Sequence, residues 1–128
     1  MDNESVHVLV VDDETSIRLN VEAYLEDEGF TVRSAESGEE AVDILKKEKF
    51  DIGIIDMRLP GIDGNELILM AHNSNPKMRF IIHTGSTGYV LPQNIKELAI
   101  MEEHVLRKPL SDISLITKLI GSIMAGEI

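Results

Sequence analysis

The sequence predicts an α/β domain built on a doubly wound, five-stranded parallel sheet, and two observations carry that prediction. Five short apolar runs alternate with stretches of helical spacing along the chain. The runs are nearly continuous rather than alternating with polar residues. Strands read that way when helices cover both faces of a parallel sheet.

The first run, Val6–Val11, opens the sheet, and Phe30–Ser34, Asp51–Ile55, Arg79–His83 and His104–Arg107 supply the other four strands. Between them, Ser16–Glu28 places Ile17, Val21, Tyr24 and Leu25 on one helical face. Ser37 with Glu40 reads as a capping box that opens a helix over Gly38–Glu48, with Ala41, Ile44 and Leu45 inward. Gly64–His72 carries Leu67, Ile68 and Met70, and Gln93–Met101 carries Ile95, Leu98 and Ala99. The last helix, Ile113–Met124, repeats Ile113, Ile116, Ile120 and Ile123, and leaves Leu115 and Leu119 off that stripe as candidate partner contacts.

A chain of 128 residues that is 43% hydrophobic predicts one folded domain spanning residues 1–128. Cysteine is absent, which excludes disulfides and thiolate metal sites. The opening MDNES does not fit a signal peptide, and no apolar run reaches membrane-span length, so a cytoplasmic protein is expected. The net charge of −11 argues against nucleic-acid binding. Residues 1–66 hold 18 acids and 6 bases (−12), whereas residues 67–128 hold 5 acids and 6 bases (+1).

The acidic half contains the stretch VHVLVVDDET, where a buried strand runs into Asp12, Asp13 and Glu14. In an open parallel sheet, ligands bind beyond the carboxyl ends of the strands. The other strands end in Asp56, Thr84 and Lys108–Pro109, so five polar side chains can converge on one edge. Carboxylates brought together repel one another, and one remedy is a hard cation held by oxygen ligands, as Mg²⁺ is. A metal, a lysine and a hydroxyl around one aspartate make a cradle for a phosphoryl group, which aspartate can accept. Each feature also has a plain reading. Asp12–Glu14 can cap the following helix, Asp56 can sit in the turn before LPGIDG, and Thr84 can be an ordinary strand end. The four histidines have no metal-ligand spacing, and His83 reads as a satisfied core residue.

The acid pair, Asp56 with MRLPGIDG after it, Thr84 before Gly85, and Lys108–Pro109 occur in this order, each at a strand end. Together they resemble the receiver domain of two-component response regulators, and the resemblance covers essentially the whole chain. It implies a flavodoxin-like sheet of order 2-1-3-4-5 and Asp56 as phosphoacceptor. It implies Mg²⁺ held by Asp12, Asp13, Asp56 and the backbone carbonyl of Arg58, with Thr84 and Lys108 on the phosphoryl oxygens. It also implies a cis Lys108–Pro109 bond. The donor would be a phosphohistidine on a sensor kinase or a phosphotransfer protein. The output surface, for an effector domain or a downstream protein, would be the helix Gln93–Met101, the strand His104–Arg107 and the final helix; pairing with a second copy stays open. Such a module catalyses only its own phosphorylation and dephosphorylation.

Three features depart from the family pattern. Val105 stands where many members carry an aromatic residue, Arg58 puts a long cation beside the acceptor, and TGSTGYVLPQN makes a long, glycine-bearing loop. Three alternatives compete. A degenerate receiver acting as a scaffold would not need all five site residues. A Mg²⁺-dependent phosphohydrolase with an aspartyl nucleophile would need a further acid–base group and a cap. A nucleotide or flavin binder would avoid an acidic first loop.

Overall fold

In the computed structural model, which describes residues 5–128, five parallel strands form one sheet in the order β2-β1-β3-β4-β5. The strands are β1 (His7–Val11), β2 (Thr31–Ala35), β3 (Ile52–Ile55), β4 (Arg79–Thr84) and β5 (Val105–Arg107). The helices are α1 (Thr15–Asp27), α2 (Gly38–Leu45), α3 (Gly64–Ser74), α4 (Gln93–Lys96) and α5 (Ser114–Met124). Among the described residues no helix is long and apolar enough to cross a membrane.

The central strands divide their side chains between two cores, which is why their sequences run apolar without a break. Val8 and Val10 of β1, Ile54 of β3 and Ile81 of β4 face Val21 and Leu25 of α1 and Ile116 and Ile120 of α5. Leu9 and Val11, Ile55, and Phe80 and Ile82 face the other way, onto Ala41, Leu67, Ile68 and Ile95. A one-residue slip of such a strand would move each set into the opposite core, against partners it does not fit.

The helix starts follow local chemistry. Ser37 caps α2 by accepting the Glu40 N–H at 3.1 Å, but the Glu40 carboxylate reaches the Glu36 N–H instead of completing the reciprocal box. Asp63 caps α3 by accepting the Glu66 N–H at 2.9 Å. The next residue, Gly64, is where α3 presses on the chain leaving β3. A Cβ there would lie 2.7 Å from the Met57 Cα and against the Asp56 carbonyl oxygen. Glycine at 64 thus lets α3 begin directly beneath the Asp56 loop.

Two expectations need correction. The helix predicted over Gln93–Met101 stops as α4 at Lys96. Leu98 and Ala99 donate to the carbonyls of Ile95 and Lys96, three residues back, and Ala99 takes a left-handed φ of 64°. That bend brings Ile100 into the same core as Ile95, which a straight helix could not do with residues five apart. Leu119, expected off the buried stripe of the last helix, is part of the α1–α5 core, while Leu115 is exposed.

Candidate functional site

The sheet's own hydrogen bonding carries Asp12 and Asp56 one residue past the strands and side by side. Asp12 N–H donates to the Ala35 carbonyl at 3.1 Å, and Asp56 N–H donates to the Val11 carbonyl at 2.9 Å. Both carboxylates are buried. Each spends one oxygen on its own loop: Asp12 Oδ1 accepts the Glu14 N–H at 2.9 Å, and Asp56 Oδ1 accepts the Arg58 N–H at 3.1 Å. Each turns the other oxygen to the Lys108 ammonium, at 2.8 Å from Asp12 Oδ2 and 3.4 Å from Asp56 Oδ2.

Lys108 arrives from β5. Its N–H donates to the Thr84 carbonyl at 2.8 Å, and the Lys108–Pro109 peptide is cis. The Lys108 side chain is 8% exposed, and its ammonium makes a third ion pair, with Glu14 Oε1 at 3.1 Å. Burial works to lower its pKa, but the hydrogen bond and charge of Asp12, with Asp56 behind, win and hold it above the usual lysine value. It remains charged.

One carboxylate oxygen from each of Asp12, Asp13 and Asp56 lies within 4.8 Å of the others. Desolvation, then the charge of Asp56, pushes the Asp13 carboxyl above its ordinary value. Four acids, counting Glu14, thus crowd one edge of the sheet, and three of them, Asp12, Glu14 and Asp56, pair with the one ammonium. An excess of hard oxygens with one member, Asp13, open to solvent fits a hard divalent cation that keeps part of its water.

Of the six residues singled out in the sequence, Asp12, Asp13, Asp56 and Lys108 therefore form the cluster. Thr84 and Arg58 stand at its rim and meet through Ser86. Thr84 is fully buried and its Oγ1 accepts the Ser86 N–H at 3.1 Å. Arg58 points its guanidinium to Ser86 Oγ at 3.4 Å. The same serine is held from the other side by Arg107, which donates to the carbonyls of Ser86 and Tyr89 (both 3.3 Å) and pairs with Glu102 at 3.0 Å. Tyr89 donates its hydroxyl to Asn65 of α3 at 3.1 Å. Burial, then the charge of Glu102, pushes the Tyr89 phenol up to about 12.

Sequence reading missed Glu14 and Arg107. Glu14 was legible only as a cap, yet it makes no side-chain cap to α1 and turns to Lys108 instead. His83 also differs from expectation. It is a core residue, 5% exposed, but its Nε2 has no hydrogen-bond partner among the described residues. Desolvation, aided by the Lys108 charge, lowers its pKa to about 4.

A histidine kept neutral in the fold opposes folding once the unfolded chain binds a proton there. Stability from this group is therefore full above pH 6.5 and falls as pH drops toward 4, by an amount on the order of 3 kcal/mol. His83→Leu is expected to abolish that part of the acid sensitivity. The check is the difference between wild-type and variant urea midpoints from pH 7 to pH 4; a constant difference would refute it.

A sheet-edge cluster of this kind, at the carboxyl ends of parallel strands, defines an acidic switch-point site. The model of the response regulator receiver domain matches residues 8–120, and the chain belongs to that family. Sporulation initiation phosphotransferase F of Bacillus subtilis is 34% identical over 91 residues, covering 71% of this chain and 73% of that protein. Cell cycle response regulator CtrA of Brucella ovis is 27% identical over 114 residues, 89% of this chain; the match spans about half (48%) of CtrA's length. The solved structure of response regulator protein TrrA from Thermotoga maritima, in complex with Mg²⁺ and BeF, superimposes with a TM-score of 0.74 at 28% identity, covering 91% of this chain and 97% of that one. The protein is thus a receiver domain of the two-component response-regulator type.

Proposed function

We infer that this receiver takes a phosphoryl group on Asp56 from a phosphohistidine donor, with Mg²⁺ as cofactor. The observation that carries the reading is the Asp12–Asp56–Lys108 contact set, with Asp13 completing three carboxylates within reach of one cation. Asp12 and Asp56 each have Oδ1 fixed by a backbone N–H, and Asp56 is the acceptor because its Oδ2, 3.4 Å from the ammonium, is less tightly engaged than Asp12 Oδ2 at 2.8 Å. In-line attack then needs only charge neutralisation and orientation. Mg²⁺, when bound, neutralises developing charge on the phosphoryl oxygens. Asp12, Asp13, Asp56 and the Arg58 carbonyl would hold it, and Lys108 and Thr84 would take the remaining phosphoryl oxygens. TrrA, a structural relative, binds Mg²⁺ with BeF, which supports the same cofactor here. A cleft of about 690 Å³ beside Lys108, lined by Ile17, Asn20 and Val21 of α1 and by Leu110 and Ile113, gives a kinase or phosphotransfer helix a place to approach. The test is phosphoryl uptake from acetyl phosphate, a small donor that needs no cognate kinase. Uptake is expected with Mg²⁺; none, or uptake indifferent to a chelator, would refute the reading.

The signal leaves through the loop 85–92 rather than through residue 105, which has no ring to move. Thr84 is tied to Ser86, and Ser86 is tied to Arg107 on β5. Drawing the Thr84 hydroxyl onto a phosphoryl oxygen would break its bond to Ser86 and unload this strap. The loop then repositions α4, and α4, β5 and α5 form the face that an effector reads. Arg107→Ala is expected to speed amide exchange across residues 86–95 before any phosphorylation, and to shrink the further change caused by beryllofluoride. Unchanged exchange across that segment would rule out Arg107 as the latch.

A further inference from the structure

We propose that Glu14 is a positioning residue that holds the Lys108 ammonium and must release it when a phosphoryl group enters, so that it sets the site's balance between anion and cation. The proposal rests on the reading of the site as a phosphoryl-binding one. The geometry is specific. A lysine ammonium has three N–H donors. Here the three carboxylates around it stand at 2.8 Å (Asp12), 3.1 Å (Glu14) and 3.4 Å (Asp56). The shorter two leave the ammonium nearer Asp12 and Glu14 than the acceptor. Drawing the ammonium from 3.4 Å to full hydrogen-bond contact with an oxygen on Asp56 therefore lengthens one of the two shorter bonds.

Glu14 is the bond that can yield. Asp12 is buried and its other oxygen is fixed by the Glu14 N–H, whereas the Glu14 side chain is 57% exposed and can be rehydrated. Its backbone is set by the start of α1, yet its carboxylate makes no cap to that helix. The side chain instead crosses to a lysine 94 positions away. A carboxylate at that place also repels an incoming anionic phosphoryl group, in addition to competing for the cation that should receive it. Toward a divalent cation the same charge acts in the opposite sense. The two effects therefore separate. Removing the charge should strengthen anion binding and weaken cation binding, whereas simple damage to the site would weaken both.

The experiment titrates the full chain with Mg²⁺ alone, and then with beryllofluoride at saturating Mg²⁺, by calorimetry or by the amide shifts of the site. Three proteins are compared: wild type, Glu14→Gln and Glu14→Asp. Because an exposed ion pair is weak, the expected changes are about two- to fivefold. Glu14→Gln should bind beryllofluoride more tightly and Mg²⁺ more weakly. Glu14→Asp keeps the charge but is one methylene too short to hold the ammonium at the observed distance, so it should also bind beryllofluoride more tightly, with Mg²⁺ affinity close to wild type. Unchanged or weaker beryllofluoride binding in Glu14→Gln would overturn the proposal. So would Glu14→Asp matching wild type in both titrations, since charge alone would then explain the glutamine result. A wild type that binds neither probe would instead refute the phosphoryl-site reading itself, and the two failures are told apart by that protein alone.

Discussion

Asp56→Asn is expected to abolish phosphoryl transfer to this chain, leaving no detectable base- and hydroxylamine-labile label from either acetyl phosphate or a phosphohistidine donor. The amide keeps the shape of the side chain and can still accept the Arg58 N–H, so the loop is preserved. It is not a nucleophile. No neighbour can replace it. Asp12 Oδ2 is held by Lys108 at 2.8 Å, more tightly than Asp56 Oδ2 at 3.4 Å, and Asp13 lies at the exposed edge of the cluster. The fold should survive, because Lys108 keeps its 2.8 Å partner Asp12. Folded Asp56→Asn protein that still takes up label would move the acceptor elsewhere.

The second large effect falls on stability. Lys108→Met should destabilise the metal-free protein by about 3–5 kcal/mol, the usual cost of leaving buried charge without its partner. Two of its partners, Asp12 and Asp56, are almost fully buried, so water cannot replace the lost ammonium. Millimolar Mg²⁺ should restore a large part of the loss by mass action, and should stabilise the variant more than the wild type. Urea unfolding of both proteins, with Mg²⁺ and with a chelator, measures this. Equal stabilisation of the two by Mg²⁺ would separate the ammonium from the cation site.

Much of the fold was legible because burial on both faces leaves its mark on composition. Runs such as VHVLVV and FIIH could be read as central strands, and the acids at their ends stood out against that apolar background. The sheet order and the cis Lys108–Pro109 peptide came from the resemblance, and the structure has both. What could not be read depends on contacts between distant positions or on backbone states without a residue signature. The end of α4 is set by Ala99 in a left-handed conformation, where neither glycine nor proline marks the break. Glu14 looked like a cap because its true partner lies 94 positions on. Arg107 was an unremarkable charge on a strand until the loop folded over it. His83 fitted an apolar strand by position, but nothing in the sequence could show that its Nε2 finds no partner.

On the proposed reading, the carboxylate cluster works as a cation-dependent phosphoryl acceptor. Intact-mass spectrometry of the wild-type chain after acetyl phosphate, with Mg²⁺ or with a chelator, tests it most directly. One added phosphoryl group, about 80 Da, is expected to form only with Mg²⁺. An unmodified chain in Mg²⁺, or the same adduct in chelator, would contradict it.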